Sequence, residues 1–180
     1  MIGVHHLLEA TKDFSKDQLQ LTLVGDVDWR LKVALASYSH FTHRPSQPHA
    51  ELAEFLKTQD VAVCPSIEDG FGFVVPQAMA SGVIPVVSRA AGAQELITQG
   101  RNGFLVDPGD LQGLRDTLSN ISAMPQVLTA VRSEMLEQSA DLSWSSYSRN
   151  FTRWIQEIIT KEKKHAKGSR THRTQPHPHL

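Results

Sequence analysis

Hydrophobic positions along the 180 residues change period again and again, and each change marks an element. Val4, Leu7 and Leu8 recur at helical spacing, which predicts a helix over 4–14. Residues 19–24 alternate, turn apolar and meet Gly25, the pattern of a strand entering a loop. Asp26 or Asp28 is placed to cap a helix through Trp29, Leu31 and Leu35. Phe41, Thr42 and His43 form a short strand candidate, and Pro45 and Pro48 bracket a loop before a helix over 49–59. Val61, Ala62, Val63 and Cys64 make an apolar run that stops at Pro65.

Beyond it, a helix is predicted over 76–81, with Pro76 tolerated in the first turn because its missing N–H would have no partner there. Strands follow at 84–87 and 103–106, around a short helix at 93–98. Asp110 caps a helix through Leu111, Leu114 and Leu118, and two more helices are predicted at about 125–139 and 143–163. The last carries Trp144, Tyr147, Phe151, Trp154, Ile155 and Ile158 at helical spacing. Strands alternating with helices predict an α/β fold with a doubly wound, Rossmann-like parallel sheet.

Composition adds two things. Hydrophobic residues make up 40% of the chain, enough for one core, and the single cysteine, Cys64, reads as a buried thiol. No apolar run is long enough to span a bilayer, and no leader-like segment opens the chain, so the expected location is cytosolic. The sequons at Asn120 and Asn150 then read as idle. Charge is uneven: residues 161–180 hold six Lys and Arg against Glu162, a balance of +5, so the rest carries −6 of the total −1. That segment is rich in His and Pro and poor in apolar side chains, and residues 164–180 are expected to be a disordered basic tail on a domain spanning 1–163. It reads as a solvated extension; nucleic acid is not an expected partner, and membrane contact is left open.

The most informative stretch is 65–82, which follows the predicted strand with Pro65, Ser66, Ile67, Glu68, Asp69, Gly70, Phe71, Gly72, Phe73 and Val74 and runs on through Gln77 to Gly82. Strand, glycine loop, helix is an order that presents backbone N–H groups to an anion at the carboxyl end of a strand. Glycine at 70 and 72 permits close approach of a ligand and positive φ. A structural turn is the alternative reading of such a loop.

The wording of this stretch resembles the retaining glycosyltransferases with two Rossmann-like domains, the family-4 group related to sucrose and glycogen synthases. Asp69 falls on the family's first acidic position and Gln77 on the second, with Gly70, Phe71 and Gly72 between. Ala78, Met79, Ala80, Ser81 and Gly82, then Pro85, Val86 and Val87, follow in register, as do 92–97 and 100–110. The resemblance covers about residues 3 to 160. It implies the second, nucleotide-sugar-binding domain of a GT-B enzyme, whose final helix crosses back onto the acceptor domain.

The resemblance also implies roles. Asp69 is the catalytic-site acid contacting hydroxyls of the donor sugar; Gly70, Phe71, Gly72, Phe73 and Val74 supply amides to the diphosphate and sugar. Gln77 replaces the acid that accepts from the ribose, and Gly25 ends a strand where the nucleotide passes. Arg44 lies near the base by family register, or is an exposed loop arginine. Asp69 and Gln77 also read as a turn residue and a first-turn polar residue. No metal and no cofactor beyond the donor is expected, since no His, Cys or carboxylates stand at ligand spacing. The acidic pair departs from the family, with Asp69 shorter than its usual Glu and Gln77 an amide, and so does the cation pair: Ile2 stands where the family has a lysine beside Gly3, and its arginine position would precede Met1.

Two readings stand. One is the donor domain of a glycosyltransferase, incomplete alone, acting with an acceptor-domain polypeptide or a second copy. The other is a truncated, non-catalytic nucleotide-binding or interaction subunit that docks through its aromatic C-terminal helix. A dinucleotide oxidoreductase is excluded because no Gly-x-Gly-x-x-Gly follows the first strand, and no Gly-x-Ser-x-Gly or phosphate-loop motif occurs.

Overall fold

The computed structural model describes residues 3–27, 32, 33, 35–139, 145, 146, 148, 149, 151–153 and 155–159. Two compact units divide the chain, residues 1–140 and 141–180. In the second, the described residues from 145 to 159 are helical; Trp144, Tyr147, Trp154 and the tail expected over 164–180 lie outside the described residues, as do Asp28, Trp29 and Leu31.

In the first unit the order is α1 (Val4–Thr11), β1 (Leu21–Val24), β2 (Phe41–Arg44), α2 (His49–Leu56), β3 (Val61–Cys64), α3 (Val74–Ala80), β4 (Ile84–Ser88), a 3₁₀ turn (Gly92–Leu96), β5 (Phe104–Val106), α4 (Leu111–Ala123) and α5 (Pro125–Ser139). All strand pairs are parallel: β1 with β2, and β3 with β4 with β5. Parallel neighbours need crossovers; α3 lies in the one from β3 to β4, and the 3₁₀ turn in the one from β4 to β5. The ladder is therefore in two pieces rather than one continuous sheet. The pieces share a core, because Leu19, Leu21 and Leu23 pack against the cluster built on Val86 and Val106.

Helices cover both faces of the β3–β4–β5 sheet. On one, Leu7 and Ala10 of α1 and Leu114, Leu118 and Ile121 of α4 pack on Val86 and Val106. On the other, Leu56 of α2 and Ala78 of α3 pack with Val83, and Leu52 and Ala62 close the cluster. Val61 and Val63 join the first cluster and Ala62 the second, as the two-residue period of a strand dictates. Every residue of β4 is buried, including Pro85. Proline is normally kept from central strands because it lacks an N–H. The rungs between β4 and β5 begin at Val86, one residue past Pro85, so the missing donor removes no rung there.

Polar ties fix α1. Arg115 of α4 donates to Asp13 at 2.7 Å and to the carbonyl of Glu9 at 3.3 Å. Tyr38 donates its hydroxyl to Glu9 at 3.1 Å. As expected, Asp110 caps α4, its carboxylate accepting from the N–H of Gly113 at 2.9 Å. The helix expected at 93–98 is instead the 3₁₀ turn 92–96. Asn102, buried beside it, accepts from the N–H of Thr98 at 2.7 Å and donates to the carbonyl of Leu96 at 2.9 Å, which ends the turn.

Candidate functional site

Parallel strands deliver their carboxyl ends to one edge of a sheet, and the glycine loop 65–73 leaves β3 at such an edge. Two neighbours hold it. The main chain of Asp69 bridges to Ala91, its N–H donating to the carbonyl of Ala90 at 3.3 Å. Two residues on, the carbonyl of Phe71 accepts from the N–H of Ala93 at 2.6 Å. Gly92 makes this clamp possible: a Cβ there would run into the carbonyl of Gly70 and lie 3.2 Å from Cα of Phe71. The start of α1 rests on the same loop, since a Cβ on Gly3 would run into the carbonyl oxygen of Pro65.

The two glycines of the motif behave differently. Gly72 adopts φ +84°, and a Cβ there would meet Cys64 Sγ at 3.5 Å, Ala91 Cβ at 3.6 Å and Asp69 Oδ2 at 3.8 Å. Gly70 is not among the positive-φ residues and has open space around it. The backbone demand thus sits at 72, while 70 leaves the loop uncovered. Two residues past Gly72, α3 starts at Val74 and not at the expected 76. Pro76 still falls in the first turn.

Among the described residues, the N–H groups of Gly70, Phe71, Gly72 and Phe73 donate to no protein acceptor. Phe71, Phe73 and Val74 are exposed, Phe73 at 63%, and the two rings lie 5.1 Å apart in tilted contact. Asp69 is half-buried and its Oδ2 accepts from the buried Ser66 hydroxyl at 3.2 Å. The Ser66 hydroxyl in turn lies 3.6 Å from Cys64 Sγ. Burial pushes the Cys64 thiol above its ordinary value, and the Asp69 charge adds a smaller push in the same direction.

Asp69 through Val74 are therefore gathered in one loop. Gln77 lies on α3, its amide nitrogen 3.4 Å from Nδ1 of His49 at the start of α2. Gly25 ends β1, with φ +135°, and belongs to the other ladder: its N–H donates to the carbonyl of Arg44 at 3.0 Å, and its carbonyl sits 2.8 Å from His43 Nε2. Arg44 stacks its guanidinium 4.5 Å over the Phe55 ring, which occupies it at α2. Among the described residues no group of three or more His, Cys, Asp or Glu is placed to hold a metal ion. None of their helices is long and apolar enough to cross a membrane. The residues sequence reasoning missed are Ser66, Ala90, Gly92 and Ala93. Only the small Ala-Gly-Ala run at 91–93 signalled a close approach.

A family model described as glycosyl transferases group 1 matches residues 1–124, and the chain belongs to this family. Among curated relatives, it is 27% identical over 111 residues to the GDP-mannose:cellobiosyl-diphosphopolyprenol alpha-mannosyltransferase of Komagataeibacter xylinus, covering 61% of this chain and 28% of that protein. It is 32% identical over 101 residues to D-inositol 3-phosphate glycosyltransferase 1 of Catenulispora acidiphila, covering 56% and 24%. Among solved structures, Anabaena HepE in complex with UDP superposes with a TM-score of 0.73 at 23% identity, covering 88% of this chain and 45% of that one. Sucrose-phosphate synthase of Thermosynechococcus elongatus does so with a TM-score of 0.73 at 24% identity, covering 88% and 43%. The fold is that of one half of a GT-B glycosyltransferase. The chain spans about a quarter of the length of these curated relatives and less than half of these solved chains.

Proposed function

We propose that this chain is the donor-binding part of a retaining, family-4 type glycosyltransferase, holding a nucleoside-diphosphate sugar at the loop 69–74. The observation that carries the reading is the run of N–H groups at Gly70–Phe73 without protein acceptors among the described residues, on a loop clamped by Ala90 and Ala93. Amides held in advance stabilise charge on a leaving diphosphate without reorganising during the reaction. Asp69 then accepts from a hydroxyl of the sugar, and the amide oxygen of Gln77 accepts from the ribose. Gly25, at the end of β1, lets the nucleotide pass close to the main chain. Neither metal nor cofactor enters this scheme. The acceptor is bound by another part of the whole protein or by another polypeptide, and a cytosolic location belongs to the same proposal.

The relatives support a sugar-nucleotide donor without choosing the base, since the name of one carries GDP-mannose and one solved neighbour holds UDP-glucose. A second reading, a nucleotide-binding subunit that does not catalyse, is favoured by one feature: Ile2 stands where the family resemblance puts a lysine. Calorimetric titration of the purified chain with UDP, GDP, ADP and UDP-glucose tests the shared premise. Saturable binding of one nucleotide is expected. Absence of binding at millimolar ligand, with the protein folded, overturns the donor-site reading.

A further inference from the structure

Asp69 is held twice, through its main chain by Ala90 and through its side chain by Ser66. Ser66 is 1% exposed, so its hydroxyl has no exchange with bulk water to compete for its proton. A serine hydroxyl has one proton to give. It is donated to Asp69 Oδ2, so the contact with Cys64 runs the other way, the thiol donating to the Ser66 oxygen. Burial keeps that thiol protonated, which preserves the direction. The result is a one-way chain, thiol to hydroxyl to carboxylate, under the glycine loop. Asp69 stays half-buried, and among the described residues its Oδ1 has no protein hydrogen-bond partner.

We propose that Ser66 is a positioning residue for the donor's sugar: it pins Oδ2 of Asp69 and thereby leaves Oδ1 as a single, pre-set acceptor for one sugar hydroxyl. This rests on the donor-site reading above and deepens it. Aspartate is short, and an unpinned carboxylate would share its two oxygens among rotamers and water. Pinning one oxygen removes that freedom before the ligand arrives, so less is lost on binding. The sugar, not the nucleotide, feels the difference.

The test compares affinities for UDP with UDP-glucose, and for GDP with GDP-mannose, in the native chain and in Ser66→Ala. The expected result is a loss of about tenfold in the ratio of nucleotide-sugar to nucleotide affinity, with the nucleotide alone unchanged, as for a hydrogen bond to a charged group. Ser66→Thr, which keeps the hydroxyl, is expected to restore the ratio. In an Asp69→Asn background, Ser66→Ala is expected to add nothing further, because Ser66 acts through the carboxylate. Equal losses for nucleotide and nucleotide sugar would mean general loop damage and overturn the assignment, as would an unchanged ratio. Either outcome leaves the donor-site reading intact. Failure of the native chain to bind any of these four ligands or ADP overturns both.

Discussion

The two ladders of this molecule are built from the same motif and finished differently. In β3–β4–β5, all of β4 is buried, and the loop leaving β3 is tied to the segment 90–93 at two backbone positions. In β1–β2, three of the four residues of β2 are exposed, and β1 is at best half-buried. Polar contacts at the end of that ladder are single and exposed: His43 at the Gly25 carbonyl, and the N–H of Ser46 donating to Asp26 at 3.4 Å. The contrast teaches where precision is stored. Apolar area removed from water, at about 25 cal/mol per Å², is concentrated on the two faces of β3–β4–β5. The corner beside Gly25 has little of it and belongs to the low-stability end of the unit.

The sharpest way to break the contrast is at Gly72. Gly72→Asp demands positive φ of a residue with a side chain and sets a second carboxylate beside Asp69. Nucleotide-sugar binding is expected to fall below detection by calorimetry; unchanged affinity would remove this loop from the site. Next, Gly92→Val drives a side chain into the Gly70 carbonyl. A loss of about 3 kcal/mol in urea denaturation is expected, at the upper end for overpacking. A third comparison pairs the ladders directly. Ile84→Ala in buried β4 is expected to cost about 3 kcal/mol, whereas Thr42→Ala in exposed β2 stays within about 0.5 kcal/mol. Similar losses at both would erase the difference argued above.

The smallest effects are titrations. Burial, and secondarily the charge of His5, hold His6 below its ordinary value, and its Nδ1 is buried without a partner. The unfolded chain then binds the proton more readily than the folded one, so stability falls as pH drops through about 6.5 and below. Cys64 has the opposite sign. Its folded value is raised, so the folded chain keeps the proton longer, and stability is lost as pH rises above about 8.5. Melting temperatures measured from pH 5 to 10 are expected to fall at both ends. His6→Gln flattens only the acid limb and Cys64→Ala only the alkaline one; a limb that survives its substitution arises elsewhere.

Much of this was legible in the chain. The strand at 61–64, the helix at 125–139 and the Asp110 cap lie where the pattern put them, because each depends on neighbours within a turn or a pleat. The position of the glycine loop, between β3 and α3, was legible for the same reason. Its start of helix was misjudged by two residues, since a proline in the first turn does not say whether it is the first or the third residue. Ser66 carried no signal: a serine after a strand is commonplace, and only its burial beside Asp69 gives it a role.

Local periodicity and turn chemistry, then, determined by themselves the order of elements, the α/β class and the position of the loop. Only the tertiary structure decided which glycine of the motif adopts positive φ, which ladder is buried, and what holds Asp69. Apart from the Ser66–Asp69 bond, three residues apart, they rest on groups about twenty residues or more apart in sequence, such as Gly92 against Gly70, Ala93 against Phe71 and Gly3 against Pro65. A backbone contact of that kind leaves no periodic trace, because it depends on what the folded chain brings within reach rather than on what stands beside each residue.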